Sequence, residues 1–123
     1  RPDEGYSWYT LPETLRCLAL PPDIRMLQVC DDDMSPYVSR GDVVIYDPRV
    51  RRIQGNGVFV LRIGDRYLVR RVQRGIRPPI RLICDNPAFD DEVLDESEFS
   101  DGAEGNPGIV VAGYVVGRML LNG

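Results

Sequence analysis

The feature that most constrains the fold is a pair of β-rich segments joined by a two-residue turn. Val58–Ile63 and Arg66–Arg74 are rich in β-branched and large apolar residues, and only Gly64-Asp65 separates them. This spacing is typical of a β-hairpin with a tight turn. It is the clearest structural signal in the chain, and it predicts a domain built on a β-sheet.

Other short β-rich segments follow, each bounded by turn residues. We predict further strands at Ile24–Val29, Val43–Tyr46, Ile80–Cys84 and Ile109–Leu121, the last of them broken by Gly113 and Gly117. The acidic stretch Asp90–Pro107 has too little apolar content for a central element and is predicted to be a loop with an edge strand. The fold class expected from this pattern is all-β, in a barrel-like or sandwich-like arrangement.

The N-terminal part of the chain differs from the rest. Residues 1–10 are polar and aromatic without a period, so we interpret them as an arm or the remnant of a linker. Leu11–Leu18 suits one or two helical turns that Pro21-Pro22 ends. Residues 11–123 are expected to form one domain, which 123 residues are enough to support. The start of the chain reads as a truncation point, before which we expect a further domain.

The charged residues restrict the chemistry. All fifteen positive charges are arginine, and there is no lysine or histidine. Arginine stays protonated and cannot act as a general base, so most nucleophilic and acid–base mechanisms are disfavoured. Cys17, Cys30 and Cys84 have no zinc-like spacing and are predicted to be buried, reduced thiols. We therefore expect no cofactor.

A run of three aspartates raises the question of a metal site. Asp31, Asp32 and Asp33 are consecutive, and on a strand consecutive side chains point to alternate faces. They would not converge on one ion, so no metal is expected. No apolar run approaches the roughly 18–20 residues that span a bilayer, and the start is not a signal peptide. A cytoplasmic protein without membrane contact is expected.

Charge is also unevenly distributed along the chain. The segment Arg40–Arg81 is rich in arginine, whereas Asp85–Glu104 is acidic and contains none. We interpret these as two solvated faces that partly pair with each other; complementarity between protomers is the alternative. Arg49, Arg51 and Arg52 form the densest basic patch, interpreted as a solvated loop rather than a nucleic-acid contact. The net charge of −4 argues against this domain gripping a phosphate backbone.

Several motifs occur together in a recognisable order. They lie in the segments Val29–Pro36, Arg40–Asp47, Tyr67–Val72, Cys84–Phe89 and Val110–Arg118. In order and spacing they resemble the C-terminal domains of LexA and the lambda-like phage repressors, which belong to a superfamily of self-cleaving peptidases that includes the bacterial signal peptidases. The positions that match the family pattern are Asp32, Met34, Pro36, Gly41, Asp42, Asn86 and Pro87. The resemblance implies a twisted, barrel-like sheet.

The two catalytic positions of the family depart from its pattern. The resemblance places the family's serine nucleophile at Asp33 and its lysine base at Arg70. If the fold brings these positions together, a carboxylate–guanidinium ion pair replaces the catalytic dyad. Ser35 lies two residues away, a displacement of about 6–7 Å that catalytic geometry does not tolerate. We therefore predict a vestigial dyad and no enzymatic activity.

The resemblance also implies a regulatory role. It indicates a self-associating domain of a bacterial or phage transcriptional repressor, which binds DNA only through a helix-turn-helix domain expected before Arg1. In the resembled family the C-terminal elements form the dimer interface, which corresponds here to Tyr114, Val116, Met119 and Leu121. Two alternatives remain open: an active self-cleaving peptidase with an unexpected dyad, and a sensor domain that holds a peptide such as part of an antirepressor.

Overall fold

A computed structural model describes residues 23–103, 105 and 107–121. The predicted arm at residues 1–10, the predicted helix at residues 11–18 and Cys17 lie outside this part of the chain. The described residues form eight strands and one short 3-10 helix. The strands are β1 (Arg25–Gln28), β2 (Val43–Asp47), β3 (Gly57–Ile63), β4 (Arg66–Arg74), β5 (Ile80–Ile83), β6 (Glu92–Leu94), β7 (Phe99–Ser100) and β8 (Ile109–Met119).

The strands belong to a single sheet with the order β1-β2-β8-β3-β4-β5-β6, and β7 pairs with β8 beside this path. All neighbouring strands on the path are antiparallel, and only the short β7 runs parallel to its partner. The predicted all-β class is therefore confirmed. The sheet does not close on itself, because β1 and β6 are its two edges in the described part of the chain.

The hairpin that was predicted first is the centre of the sheet. β3 and β4 pair from Ile63 and Arg66 at the turn to Gly57 and Val72 at the far end. Gly64 adopts a φ of +62°, a left-handed conformation that glycine reaches without steric cost. The two-residue turn thus fixes the register of the pair, as the Gly-Asp dipeptide indicated.

β8 corrects one expectation about the C-terminal run. It pairs with β2 on one side and β3 on the other, so it is a central strand. It continues through Gly113 and Gly117 rather than breaking there. The register shifts between Val60 and Leu61 of β3, and between Ile45 and Tyr46 of β2, so bulges absorb the irregularity.

The core covers both faces of the central strands. Alternate residues of β3 are buried in different clusters: Val58 and Val60 pack with Leu27, Met34 and Val44, among others. Phe59 and Leu61 pack in the second cluster, with members from β4, β5, β6 and β8. All five residues of β2 are buried. Because both faces are covered, the strands read as continuous apolar runs rather than strict alternation.

The acidic stretch holds more structure than the predicted loop with an edge strand. β6 is indeed the edge strand, but a 3-10 helix (Glu96–Glu98) and β7 follow it. Leu94 is buried in the second core cluster and Phe99 packs against it, which anchors the stretch despite its charge. Within the described residues, no helix is long and apolar enough to cross a lipid bilayer.

Candidate functional site

The loop that connects β1 to β2 brings Asp33 to Arg70 of β4. One guanidinium nitrogen of Arg70, Nη2, donates to Oδ2 of Asp33 at 3.0 Å. The two side chains keep 15% and 20% of their surface exposed, so the pair is shielded but still open to water. The predicted contact is therefore present. The pair uses one carboxylate oxygen, and Nη1 of Arg70 donates instead to the carbonyl of Val69 at 2.8 Å.

Asn86 fixes the loop against the segment that follows β5. Its backbone N–H donates to the carbonyl of Asp33 at 3.1 Å, and its side-chain amide donates to the carbonyl of Asp32 at 2.9 Å. The Asp32 carboxylate accepts the backbone N–H of Arg40 at 2.9 Å. Two backbone carbonyls and one carboxylate are thus tied to separate parts of the chain, which positions Asp33 from both sides.

The other motif residues support the same loop. Met34 is 1% exposed in the first core cluster, and its sulfur accepts the backbone N–H of Asp85. Gly41 turns with a φ of +93° and donates to the carbonyl of Val29 at 2.8 Å. The buried carboxylate of Asp42 accepts the N–H of Ser39 at 2.9 Å and that of Leu121 at 2.8 Å. These residues hold backbone rather than a reacting group.

Three aspartates lie in this loop, and the structure corrects how they were placed. Residues 31–33 form a bend and turn, not a strand. Asp31 accepts the backbone N–H of Asp33 at 3.1 Å, while the carboxylates of Asp32 and Asp33 bond to different partners. Across residues 23–103, 105 and 107–121, no three carboxylate, thiol or imidazole groups are placed to hold a metal ion.

The chemistry available at the pair is limited. A guanidinium donates hydrogen bonds and stabilises negative charge, but it does not accept a proton at physiological pH. The Asp33 carboxylate already accepts one of those hydrogen bonds. The hydroxyl of Ser35 is hydrogen-bonded to the hydroxyl of Ser39. The arrangement can bind and orient a polar group, and it joins the loop to β4.

A comparison with known protein families decides where this arrangement belongs. A profile of the Peptidase S24-like family matches residues 3–102. The chain belongs to the Peptidase S24-like family. A search among curated proteins found no significant match. The predicted relation to the LexA and signal-peptidase superfamily is thereby confirmed at the level of the family.

Two residues near the pair in this S24-like domain were not predicted as part of the site. Cys84 directly follows β5, and burial raises the pKa of its thiol, while Arg70 opposes this and Asp33 adds to it. Tyr37 lies between two guanidiniums, with Arg118 4.5 Å and Arg71 5.3 Å from its ring centre. Cys84 begins one of the family-like motif segments, Cys84–Phe89, so the sequence offered a reason to consider it. No sequence pattern indicated that arginines would stack on Tyr37.

Tyr37 links the loop to two strands at once. Arg71 of β4 bonds to both carboxylate oxygens of Asp85, at 2.9 and 2.6 Å, and this raises the pKa of its guanidinium. Arg118 of β8 donates to the carbonyl of Tyr37. Burial raises the pKa of the Tyr37 hydroxyl above its ordinary value, against the lowering effect of both arginines. Cation–π contacts of this kind add to the packing that holds the loop.

The cysteines differ from the expectation of buried thiols. Cys30 is exposed and Cys84 is half-buried, and both are free. Cys30 directly precedes the aspartate turn, where the chain leaves β1 and turns toward solvent. The exposure of Cys30 is therefore set by the turn of the loop and not by the apolar character of cysteine.

The structure places the predicted interface residues in the C-terminal half of β8 and just beyond it. Tyr114 and Val116 are 36% and 38% exposed, and Leu121 beyond the strand is 61% exposed. Met119 differs, because it packs against the third core cluster of Met26 and its neighbours. Three of the four side chains are thus open to a partner in the described residues, and their role as an interface stays a prediction.

The arginine-rich and acidic segments pair within the chain. Arg71 binds Asp85, and Arg74 binds Glu96 through Nη2. Arg49 of the basic loop binds Asp47 at 2.9 Å, and its hydrogen bonds lower the pKa of the Asp47 carboxyl. The Arg71–Asp85 and Arg74–Glu96 ion pairs join the arginine-rich segment to the acidic one. They confirm the interpretation that the two charged segments partly pair with each other.

Proposed function

We propose that this S24-like chain is the self-associating regulatory domain of a bacterial or phage transcriptional repressor and that it has no peptidase activity. The observation that carries the proposal is the ion pair between Asp33 and Arg70. It occupies the two positions that the family resemblance assigns to the nucleophile and its general base. A stable salt bridge stands where a hydroxyl and a neutral amine would be needed.

The chemistry of the pair supports the loss of activity. A serine-type dyad needs a base that can lose its proton near neutral pH, and arginine keeps its proton. These 123 residues contain no lysine or histidine that could replace it. The Ser35 hydroxyl is hydrogen-bonded to Ser39, and Ser35 lies two residues along the chain from the expected nucleophile position.

The regulatory role draws support from the family and from the surface. Apolar area is exposed along the C-terminal half of the central strand and just beyond it, at Tyr114, Val116 and Leu121. A dimer that buries this area would hold two DNA-binding domains at a high effective concentration over paired half-sites. In this proposal the DNA contact is made by a helix-turn-helix domain that precedes the domain described here, which agrees with the net charge of −4.

The loss of activity is tested by incubation over a range of pH. The purified 123-residue chain is held from pH 7 to pH 10, and its intact mass is followed for days. A family member with serine and lysine at the two positions is treated in parallel as the positive control. We expect an unchanged mass for this protein. Two complementary fragments from a single cut would overturn the proposal.

Self-association is tested separately by sedimentation equilibrium of the 123-residue chain from about 1 to 200 µM. We expect a reversible dimer or higher oligomer, whose affinity depends on the exposed residues Tyr114, Val116 and Leu121. A strict monomer over this range would overturn the repressor-domain proposal without changing the result on cleavage.

A further inference from the structure

Two cavities adjoin each other around the loop that connects β2 to β3. Their volumes are about 530 and 520 Å³, within the range of ligand-binding pockets. Both are lined by Arg51 and Val111, so the two cavities share a wall. Asp33 and Arg70 line neither of them. This double cavity is therefore a separate feature from the ion pair and its loop.

The first cavity has an apolar floor. Ile53, Ile80 and Val111 line it and are at the same time members of the second core cluster, against which Phe99 also packs. These side chains are 8%, 2% and 3% exposed, so their position is set by the fold and only their edges reach the cavity. An apolar side chain that enters the cavity would extend this cluster and lose contact with water.

The rims of the double cavity are rich in arginine. Six arginines and three carboxylates line it: Arg25, Arg49, Arg51, Arg52, Arg62 and Arg74, with Asp23, Glu96 and Asp101. The chain as a whole has a net charge of −4. The excess of positive charge is therefore local, and it surrounds the cavity openings.

Two of these arginines are available to a ligand. Arg74 is bound to Glu96, Arg49 to Asp47, and Arg62 to a backbone carbonyl. Arg51 and Arg52 are exposed, and neither pairs with any residue that the structure describes. Both line the first cavity, and Arg51 also lines the second. The site thus combines an apolar floor with two adjacent cations that have no described partner.

We propose that this double cavity binds an acidic peptide segment of a partner protein. A large apolar side chain of the peptide occupies the first cavity, in contact with Ile53 and Phe99. Carboxylates that flank it bond to Arg51 and Arg52, which line the same cavity. Arginine and carboxylate form paired, charge-assisted hydrogen bonds, which gives this contact its specificity. The inference goes beyond the proposed repressor function and does not depend on it.

The same features disfavour a phosphate chain. A nucleic acid would present only charge to the apolar floor, and Glu96 and Asp101 in the wall of the first cavity would repel its backbone. A peptide can place an apolar residue over the floor and space its carboxylates away from these two acids. A peptide therefore uses both properties of the cavity, whereas an oligonucleotide uses one.

The test measures peptide binding by fluorescence anisotropy. The probe is a labelled seven-residue peptide with one central phenylalanine among aspartates and glutamates. Its matched controls replace the acids by their amides, or the phenylalanine by alanine. The protein variants are Arg51→Glu with Arg52→Glu, and the control Arg66→Glu with Arg77→Glu, which makes the same charge change at exposed arginines that do not line either cavity.

We expect the acidic probe to bind at least tenfold more tightly than either control peptide. The Arg51/Arg52 variant should lose at least tenfold in affinity, while the Arg66/Arg77 variant should stay within about threefold of the parent. Melting curves check that both variants fold. Equal loss in the two variants, equal binding of the amide peptide, or a single-stranded oligonucleotide that competes at the same concentration would each overturn the proposal. So would a change in self-association caused only by the Arg51/Arg52 variant, since the occupant would then be a second copy.

Discussion

Arg70 reaches Asp33 through one nitrogen–oxygen contact of 3.0 Å across 37 positions of sequence. Both residues are more than three-quarters shielded from water, unlike the partners of the exposed ion pairs elsewhere in the molecule. Charges in such a position depend on each other, because removal of one leaves the other partly desolvated and unpaired. The contact joins the β1–β2 loop to β4, so its energy bears on the stability of the whole site.

A double-mutant cycle measures that dependence. We expect Asp33→Ala and Arg70→Ala each to lower the free energy of unfolding by about 1–3 kcal/mol, since the site stays partly open to water. The double variant should lose less than the two single losses together, with a coupling energy of about 1 kcal/mol or more. The same cycle on Arg74 and Glu96 is the control, with an expected coupling below about 1 kcal/mol. A coupling near zero for the first pair would contradict the prediction.

Val116 gives the sharpest test of the self-association surface. It is 38% exposed on a central strand, so an aspartate there changes the surface without opening the core. We expect Val116→Asp to shift a dimer toward monomer in sedimentation experiments while the melting temperature stays near that of the parent. Ile76→Asp, at a fully exposed loop position, is the control and should leave the assembly unchanged. Identical sedimentation of both variants would place the interface elsewhere.

Gly113 and Gly117 lie on the same strand but have different surroundings. A Cβ at Gly113 would overlap the ring of Tyr46 and lie 2.7 Å from the carbonyl oxygen of Asp47. A Cβ at Gly117 would meet only Ile45 at 3.8 Å, an ordinary contact. We therefore expect Gly113→Ala to cost about 2 kcal/mol or more in chemical denaturation and Gly117→Ala to stay within about 1 kcal/mol of the parent. Equal effects would show that the bulge relaxes freely.

Alkylation of the thiols tests the environment next to the ion pair. Cys30 is exposed, whereas burial raises the pKa of Cys84 and lowers its share of reactive thiolate at neutral pH. At pH 7 we expect iodoacetamide to modify Cys30 faster than Cys84, as measured by mass spectrometry of the tryptic peptides. The rate at Cys84 should still be rising at about one pH unit above 8.5, where an ordinary thiol is close to its plateau. Equal rates at pH 7 would argue against the shielding of Cys84.

The hairpin was predictable because everything that specifies it is local. Gly64 permits the turn, and the flanking segments carry the β-rich pattern of paired strands. The central position of β8 was not predictable, because its partners β2 and β3 are far away in the sequence. The local pattern of a β-rich segment does not show which strands it will pair with. Gly113 read as a break for the same reason: its function is to let Tyr46 and Asp47 of the neighbouring strand approach.

The candidate site likewise has features that the sequence predicted and features that it did not. The contact between Asp33 and Arg70 followed from a resemblance in which two distant motifs meet, and no local pattern would have predicted it. The stacking of Arg118 and Arg71 on Tyr37 depends on where three elements converge. Cys30 was expected to be buried from its residue type alone, and the turn that follows β1 exposes it.

The place of β8 between β2 and β3 has a consequence for how the chain is made. In the described residues the backbone ladder β1–β2 and the ladder β3–β6 are joined only through β8. A nascent chain that has not yet released residues 109–119 from the ribosome holds two separate half-sheets, each with a long unpaired edge. Such edges invite pairing with other chains. During translation the protein is therefore exposed to aggregation until β8 inserts between β2 and β3 and joins the two half-sheets.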